Sequence, residues 1–379
     1  MFILILLGLS TLAILLLLYK TVWSLNRFKY RPLKTDQVVS DLPSVSVCIA
    51  ARNETHALAQ CLERILRSDY PKLEILVLDD SSNDDTSLII KSFAQAGVRF
   101  IAGSNLPSGW LGKNHAYQTL IDEASGDYIL FLDVDTVISI SSVSQLIKQV
   151  LANKRAMISV LPRRADSYRA SALFGTMRYY WELILSSSSK PPASSAIWMV
   201  NRSVLADTGI GLSNYGMSVR PERHLALQLQ KKKQYFYVIG SRKLGISYEK
   251  RLKSQYETAL RLYYPMSGRR FMSWFIAAAF VIFLILPLVT VFGAEPFTLV
   301  WVWAASLGLL TALTFGLFTL QAYGSTAWLL RVVIGPWLLL QEFVLLTLSH
   351  VLYRLNMITW KGRPVAAQPT HHDALRLDE

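Results

Sequence analysis

The chain has 379 residues, 52% of them hydrophobic, and 39 Lys and Arg against 26 Asp and Glu give a formal net charge of +13. That is too apolar for an ordinary soluble enzyme. The basic balance suits a protein lying against anionic lipid, and no nucleic-acid-binding motif accompanies it, so nucleic acid is not an expected partner.

The apolar excess is localised. Phe2 to Tyr19 is an uncharged stretch long enough to cross most of a ~30 Å hydrocarbon core. It lacks a basic leading segment and a small-x-small cleavage site, and Lys20, Arg27, Lys29, Arg31 and Lys34 follow it. It therefore reads as an anchor with its N-terminus outside and its basic flank cytoplasmic. From there to Arg270 the composition is that of one globular domain. Val45–Ala50 is the first expected strand, entered after Pro43, and leads into Ala51-Arg52-Asn53-Glu54. A helix from about His56 to Ser68 carries Leu58, Cys61, Leu62, Ile65 and Leu66 on one face. Leu73–Leu78 is the second strand and ends in Asp79-Asp80. The polar turn from Ser81 offers caps for a helix near Thr86–Ala96, followed by a short strand, Val98–Ala102. A helix around His115–Ala124 stops at Gly126, and Tyr128–Phe131 leads into Leu132-Asp133-Val134-Asp135-Thr136. Alternating strands and helices predict an α/β, mostly parallel sheet with ligands at the carboxyl ends of its strands. Cys48 and Cys61, the two cysteines, are expected as a reduced pair.

Later, Ala165–Ser186 carries Leu173, Phe174, Met177, Tyr180, Trp181, Ile184 and Leu185 at helical spacing, as a core helix or as an amphipathic helix at a lipid interface. Three hydrophobic segments close the chain, at about Phe271–Val291, Phe297–Leu320 and Val332–Tyr353. The expected organisation is an anchor (1–20), a globular α/β domain (40–265), a C-terminal membrane region (271–353) and a basic tail (354–379).

Two acidic clusters end strands that a parallel sheet would bring to one edge. On extended backbone, Asp133 and Asp135 share a face and can both address one hard cation and the diphosphate it holds. Four converging carboxylates are unfavourable unless cations or hydrogen-bond donors reach them.

The ordered set Ala51-Arg52-Asn53-Glu54, Val77-Leu78-Asp79-Asp80-Ser81-Ser82-Asn83-Asp84 and Asp133-Val134-Asp135 resembles the family 2 inverting glycosyltransferases with the GT-A fold. Gly109-Trp110-Leu111-Gly112-Lys113-Asn114-His115-Ala116 and Trp360-Lys361-Gly362-Arg363 are similar to a membrane-bound subgroup that includes carotenoid-acid and hopanoid-associated glycosyltransferases. The resemblance implies a nucleotide-sugar donor, UDP-linked by expectation, a lipid or isoprenoid acceptor, and Mg2+ or Mn2+. It places Ala51, Glu54, Asp79 and Asp80 in the nucleoside pocket. Asp133 would meet ribose or metal-bound water, Asp135 the metal, and Lys113 the diphosphate or an acidic acceptor group. Local readings compete: Glu54 as a first-turn helix carboxylate, Asp84 as a helix cap, and Lys113 as a surface lysine.

Inversion needs a base for the acceptor hydroxyl. The matching segment begins Arg220-Pro221-Glu222-Arg223-His224, making Glu222 the candidate base and His224 the reserve. Arg223 stands where the family often has a second acid, and a salt-bridged surface Glu222 is the competing reading. The Gln-x-x-Arg-Trp of processive members has no tryptophan in Gln255–Arg261, which favours transfer of a single sugar. A polyprenyl-phosphate sugar transferase and a catalytically degenerate membrane scaffold are the alternatives. Because nucleotide sugars are cytosolic, the catalytic domain is expected on the cytoplasmic side of the inner membrane. Arg331, Pro336 and Gln341-Glu342 make the last segment re-entrant or interfacial by expectation, which leaves the tail cytoplasmic near the active site.

Overall fold

The computed structural model describes residues 1–33, 42–165, 170–207, 212–268, 271–323 and 327–365. Two compact units emerge, each assembled from separate stretches. An α/β unit takes Lys29–Arg163, Ser186–Glu249 and Lys361–Glu379; a helical unit takes Met1–Phe28, Arg164–Leu185 and Lys250–Trp360.

In the α/β unit a seven-stranded sheet runs in the order Val98–Ala102, Leu73–Asp79, Val45–Ala51, Tyr128–Leu132, Ile197–Asn201, Met157–Leu161, Tyr235–Ile239. The first four strands are mutually parallel. Ile197–Asn201 is antiparallel to both neighbours, and Met157–Leu161 pairs in parallel with Tyr235–Ile239. The mostly parallel sheet is as expected, with one reversed strand. Tyr128–Leu132 and Met157–Leu161 are buried at every position, which explains their unbroken apolar runs. Helix Leu58–Leu66 adds Leu58, Cys61, Leu62 and Ile65 to this core. Both cysteines are buried free thiols. Burial pushes Cys61 up to about 12, far from a reactive thiolate.

Register decides where chemistry can occur. Ala51 lies opposite Asp79, and Cys48 opposite Phe131. The ends carrying Asp79 and Asp133 are therefore level on one edge, two strand spacings or about 10 Å apart. One local expectation is corrected. Asp133–Thr136 is a turn, closed by the Thr136 N–H donating to the Asp133 carbonyl at 2.9 Å. The chain bends here because Thr136–Ile138 leaves the main sheet to pair antiparallel with Ile246–Tyr248.

The helical unit contains four helices long and apolar enough to cross a membrane: Phe2–Arg27, Met272–Gly293, Leu299–Ala322 and Trp328–Arg354. Phe2, Leu12, Phe292, Leu299, Val333 and Trp337 stand exposed on them, as lipid-facing side chains would. The last helix is continuous over Ala327–Arg354, with Pro336 inside it. Its charges meet polar partners within the unit. Arg331 donates to the carbonyls of Ala172, Leu173 (3.0 Å) and Gly175 (3.3 Å). Glu342 accepts from the Met177 amide (2.9 Å), the Trp181 indole (3.0 Å) and the Tyr263 hydroxyl. Such pairing is what makes buried charge tolerable in apolar surroundings. The 165–186 stretch, described except for 166–169, forms two short helices, Ala170–Leu173 and Arg178–Ile184. Tyr180 is fully buried against Phe315 and Phe318, so at this position the core reading holds.

Candidate active site

Strand Val45–Ala51 delivers Arg52–Glu54 to the sheet edge, beside the turn that follows Asp79. Asn53 (φ 52°) and Ser81 (φ 53°) both adopt left-handed backbone, which bends the two loops toward each other. The Asn53 amide donates to Ser82 Oγ (3.0 Å), the Asn83 amide to Asn53 Oδ1 (2.9 Å), and the Glu54 amide to Thr86 Oγ1 (2.9 Å). Ala51 is buried, and its carbonyl takes the Asp80 N–H at 2.8 Å.

The two acids of the second strand divide their tasks. Asp79 turns inward to accept from the Ser82 amide (3.3 Å) and the Ser87 hydroxyl, bracing the turn. Asp80, only 5% exposed, faces Arg363, whose Nη1 lies 2.9 and 2.8 Å from its two oxygens. Glu54 is paired with Lys361. Burial pushes the Glu54 carboxyl above its ordinary value, and Lys361 pulls against that shift. Glu54 is therefore more than a first-turn helix carboxylate. Asp84 accepts from the amides and hydroxyls of Thr55 and Thr86. It clips the two loops together.

Asp133 and Asp135 are half-buried on either side of buried Val134. Lys113 Nζ lies 2.5 Å from Asp133 Oδ1. Burial alone would pull the Lys113 ammonium down, but the Asp133 carboxylate more than reverses this and raises it. Lys113 is thus a partly buried, paired cation rather than a solvated surface lysine. Helix Gly112–Glu123 starts earlier than expected and puts it in the first turn. The same helix buries Tyr117 against Phe131, itself stacked on Trp198 at 4.2 Å. Burial pushes the Tyr117 phenol up; Lys113 opposes, while the Asp133 and Glu222 charges reinforce the rise. At Gly112 an added Cβ would lie 2.5 Å from Arg363 Nη1 and 2.8 Å from Asp80 Oδ2. Its missing side chain lets the helix begin against that pair.

Pro221 opens helix Pro221–Lys231 and Glu222 sits in its first turn, as expected. Glu222 is 1% exposed with Arg220 Nε 3.4 Å away, so the surface-pair reading is corrected: the helix start is turned into the protein. His224 stacks on Tyr215 (centroids 4.5 Å apart, 8° between planes) and its Nε2 is 3.1 Å from Ser218 Oγ.

Among the described residues no three His, Cys, Asp or Glu side chains gather as a metal site. The donor set still fits Mg2+ or Mn2+, which commonly take one or two carboxylates and complete their shell with water and substrate phosphates. Asp133 and Asp135 supply hard oxygens of that kind. Lys361 and Arg363, paired with Glu54 and Asp80, are partners that local reading did not place. Their signal was the Lys-Gly-Arg that follows the last hydrophobic segment.

Residues 46–207 match the model for glycosyl transferase family 2. The chain is 28% identical over 132 residues to 4,4'-diaponeurosporenoate glycosyltransferase of Staphylococcus aureus strain N315, covering 34% of each protein. It is 29% identical over 111 residues to the GalNAc(5)-diNAcBac-PP-undecaprenol beta-1,3-glucosyltransferase of Campylobacter jejuni, over 28% of this chain and 35% of that protein. The matches span about a third of the length of these curated relatives. A mannosyltransferase, PcManGT from Pyrobaculum calidifontis, solved with GDP-Man and Mn2+, superposes with a TM-score of 0.53 at 17% identity over 92% of this chain and 97% of that one. The likeness establishes a GT-A type fold.

Proposed function

We propose that the protein is a membrane-bound, metal-dependent, inverting glycosyltransferase that moves one sugar from a nucleotide-sugar donor to a lipid or isoprenoid acceptor. The observation that carries this reading is the Lys113–Asp133 pair beside Asp135, level with Glu54 and Asp80 on one sheet edge of a family 2 domain. The four membrane-length helices and the lipid-linked names of the relatives favour a lipidic acceptor. The catalytic domain then faces the cytoplasm, where nucleotide sugars are found.

Ala51, Glu54, Asp79 and Asp80 frame the nucleoside, with Asp79 acting through the turn it braces. Asp133 would take ribose or metal-bound water, and Asp135 would hold the cation. Bound Mg2+ or Mn2+ supplies positive charge for the leaving diphosphate. Lys113, fixed by Asp133, adds a preorganised cation where that charge accumulates. Glu222 accepts the proton of the acceptor hydroxyl as its oxygen bonds to the anomeric carbon. The bond to the diphosphate oxygen breaks on the opposite face, so configuration inverts and a nucleoside diphosphate departs.

The test is thermal unfolding of the full chain in detergent with UDP or GDP, with and without Mn2+, alongside transfer from the matching donors. A ligand at 100 times its Kd stabilises by about 2.7 kcal/mol. Asp135→Ala is expected to keep the unliganded Tm and lose the Mn2+-dependent increment and turnover. Wild-type Mn2+-dependent transfer in that variant overturns the metal assignment.

A further inference from the structure

We propose that Lys361 and Arg363, on the segment that follows the last long helix, are positioning residues of the donor site: Arg363 sets Asp80 and Lys361 sets Glu54 for the nucleoside of a nucleoside diphosphate. This rests on the nucleotide-sugar reading above.

The contacts interlock. Arg363 reaches both Asp80 oxygens from a single nitrogen, which fixes the carboxylate plane. Lys361 Nζ donates to the Arg52 carbonyl at 2.6 Å and the Asn53 carbonyl at 3.4 Å besides pairing with Glu54. Arg52 reciprocates, donating to the Lys361 carbonyl (3.4 Å) and to the carbonyls of Asp80 and Ser81. One strap thus ties both loops of the sheet edge.

Local backbone is built for this. Lys361 (φ 48°) and Gly362 (φ 79°) are consecutive left-handed residues, a tight bend that brings the two cations to the same edge. Gly112 leaves room for the guanidinium on the opposite side. The pairs are also not ordinary surface ion pairs. Side-chain exposure is 23% for Arg363 against 8% for Asp80, and 25% for Lys361 against 21% for Glu54. Partly buried, charge-assisted contacts hold geometry far better than solvated ones.

A carboxylate offers about four lone-pair sites. With one oxygen edge held by Arg363, Asp80 keeps capacity for a nucleobase N–H or ribose O–H at a defined orientation. Loss of the strap should therefore weaken nucleotide binding while leaving the transfer step nearly intact.

The experiment measures UDP and GDP affinity with Mn2+ on the full chain in detergent, together with donor KM and kcat, for Arg363→Ala, Arg363→Lys, Lys361→Ala, Asp80→Asn and the double variant Asp80→Asn/Arg363→Ala. Arg363→Ala is expected to raise the nucleotide Kd and donor KM about 10-fold, the size expected for a hydrogen bond to a charged group, with kcat changed less than about 3-fold. Arg363→Lys should recover part of this, because lysine restores charge without the planar fork; it is also the variant to read should Arg363→Ala not fold. In the Asp80→Asn background the Arg363→Ala effect should vanish, since the arginine acts through Asp80. Full additivity in the double variant overturns the proposal in favour of direct ligand contact. Unchanged or tighter nucleotide binding in both Arg363 variants and in Lys361→Ala also overturns it. A wild-type chain that binds neither nucleotide overturns the donor reading and this inference together, an outcome distinct from wild-type binding that survives loss of the strap.

Discussion

Pro221 fixes the first turn of its helix, and the residue after it, Glu222, is carried into a site where only 1% of it meets solvent. A carboxylate in that position can take a proton only from a group delivered to it, as a general base for one acceptor hydroxyl must. Glu222→Gln preserves shape and removes basicity. We expect kcat to fall about 10^2–10^4-fold, the usual span for a lost general base, with UDP or GDP binding unchanged. Transfer that survives this change would point to a phosphate acceptor, which needs no strong base. The acids Asp80, Asp133 and Asp135 were legible as a set because short apolar runs deliver them to strand ends. Their partners were not. Arg363 lies nearly three hundred residues from Asp80, and no local pattern encodes a pairing of that separation.

Among the elements, the loops carrying Glu54 and Asp80 show how a site is held before any ligand arrives. Asp84 is the clip. Burial pushes its carboxyl up, but hydrogen bonds from Thr55 and Thr86 outweigh this and hold it down to about 2. The sign follows directly. An unfolded Asp titrates near about 3.9, so the contribution of Asp84 is complete above that pH and is lost as pH falls toward about 2. The wild-type Tm should therefore drop more steeply than that of Asp84→Asn between pH about 4 and about 2, with the variant uniformly lower above pH about 5. Parallel slopes would show that the clip adds nothing. The first four strands were readable from β-branched runs ended by Pro, Gly or acids. Met157–Leu161, Ile197–Asn201 and Tyr235–Ile239 were not placed, because runs of five residues fit a buried helix as well as a strand. The turn at Asp133–Thr136 was missed for a related reason: the antiparallel pairing that bends it is made with residues about a hundred positions away.

For the whole molecule, the chain leaves the α/β unit after Glu249 and rejoins it at Lys361, with three membrane-length helices between. A chain that returns to the side it left crosses an even number of times. We expect two of those helices to cross and Ala327–Arg354, with Arg331 and Glu342 buried within it, to lie along or partway into the bilayer. Cys48 and Cys61 are buried, so single cysteines introduced at exposed Gln95 and exposed Pro364 can report alone. Both should react with an impermeant maleimide from the same side of sealed vesicles. Labelling from opposite sides would refute the even count.

The strap at Lys361 and Arg363 also imposes an order in time. A ribosome releases the carboxylates of Glu54, Asp80 and Asp133 long before the cations that hold two of them. At about 5–20 residues per second the delay is on the order of ten seconds or more, and the three hydrophobic helices between Met272 and Arg354 are made within it. The sheet edge that carries Glu54 and Asp80 is thus completed by almost the last described residues, after all four membrane-length helices have been made. A nascent or truncated protein carries Glu54 and Asp80 without their partners, and on the proposed reading completion of the site waits on synthesis of the last hydrophobic helix.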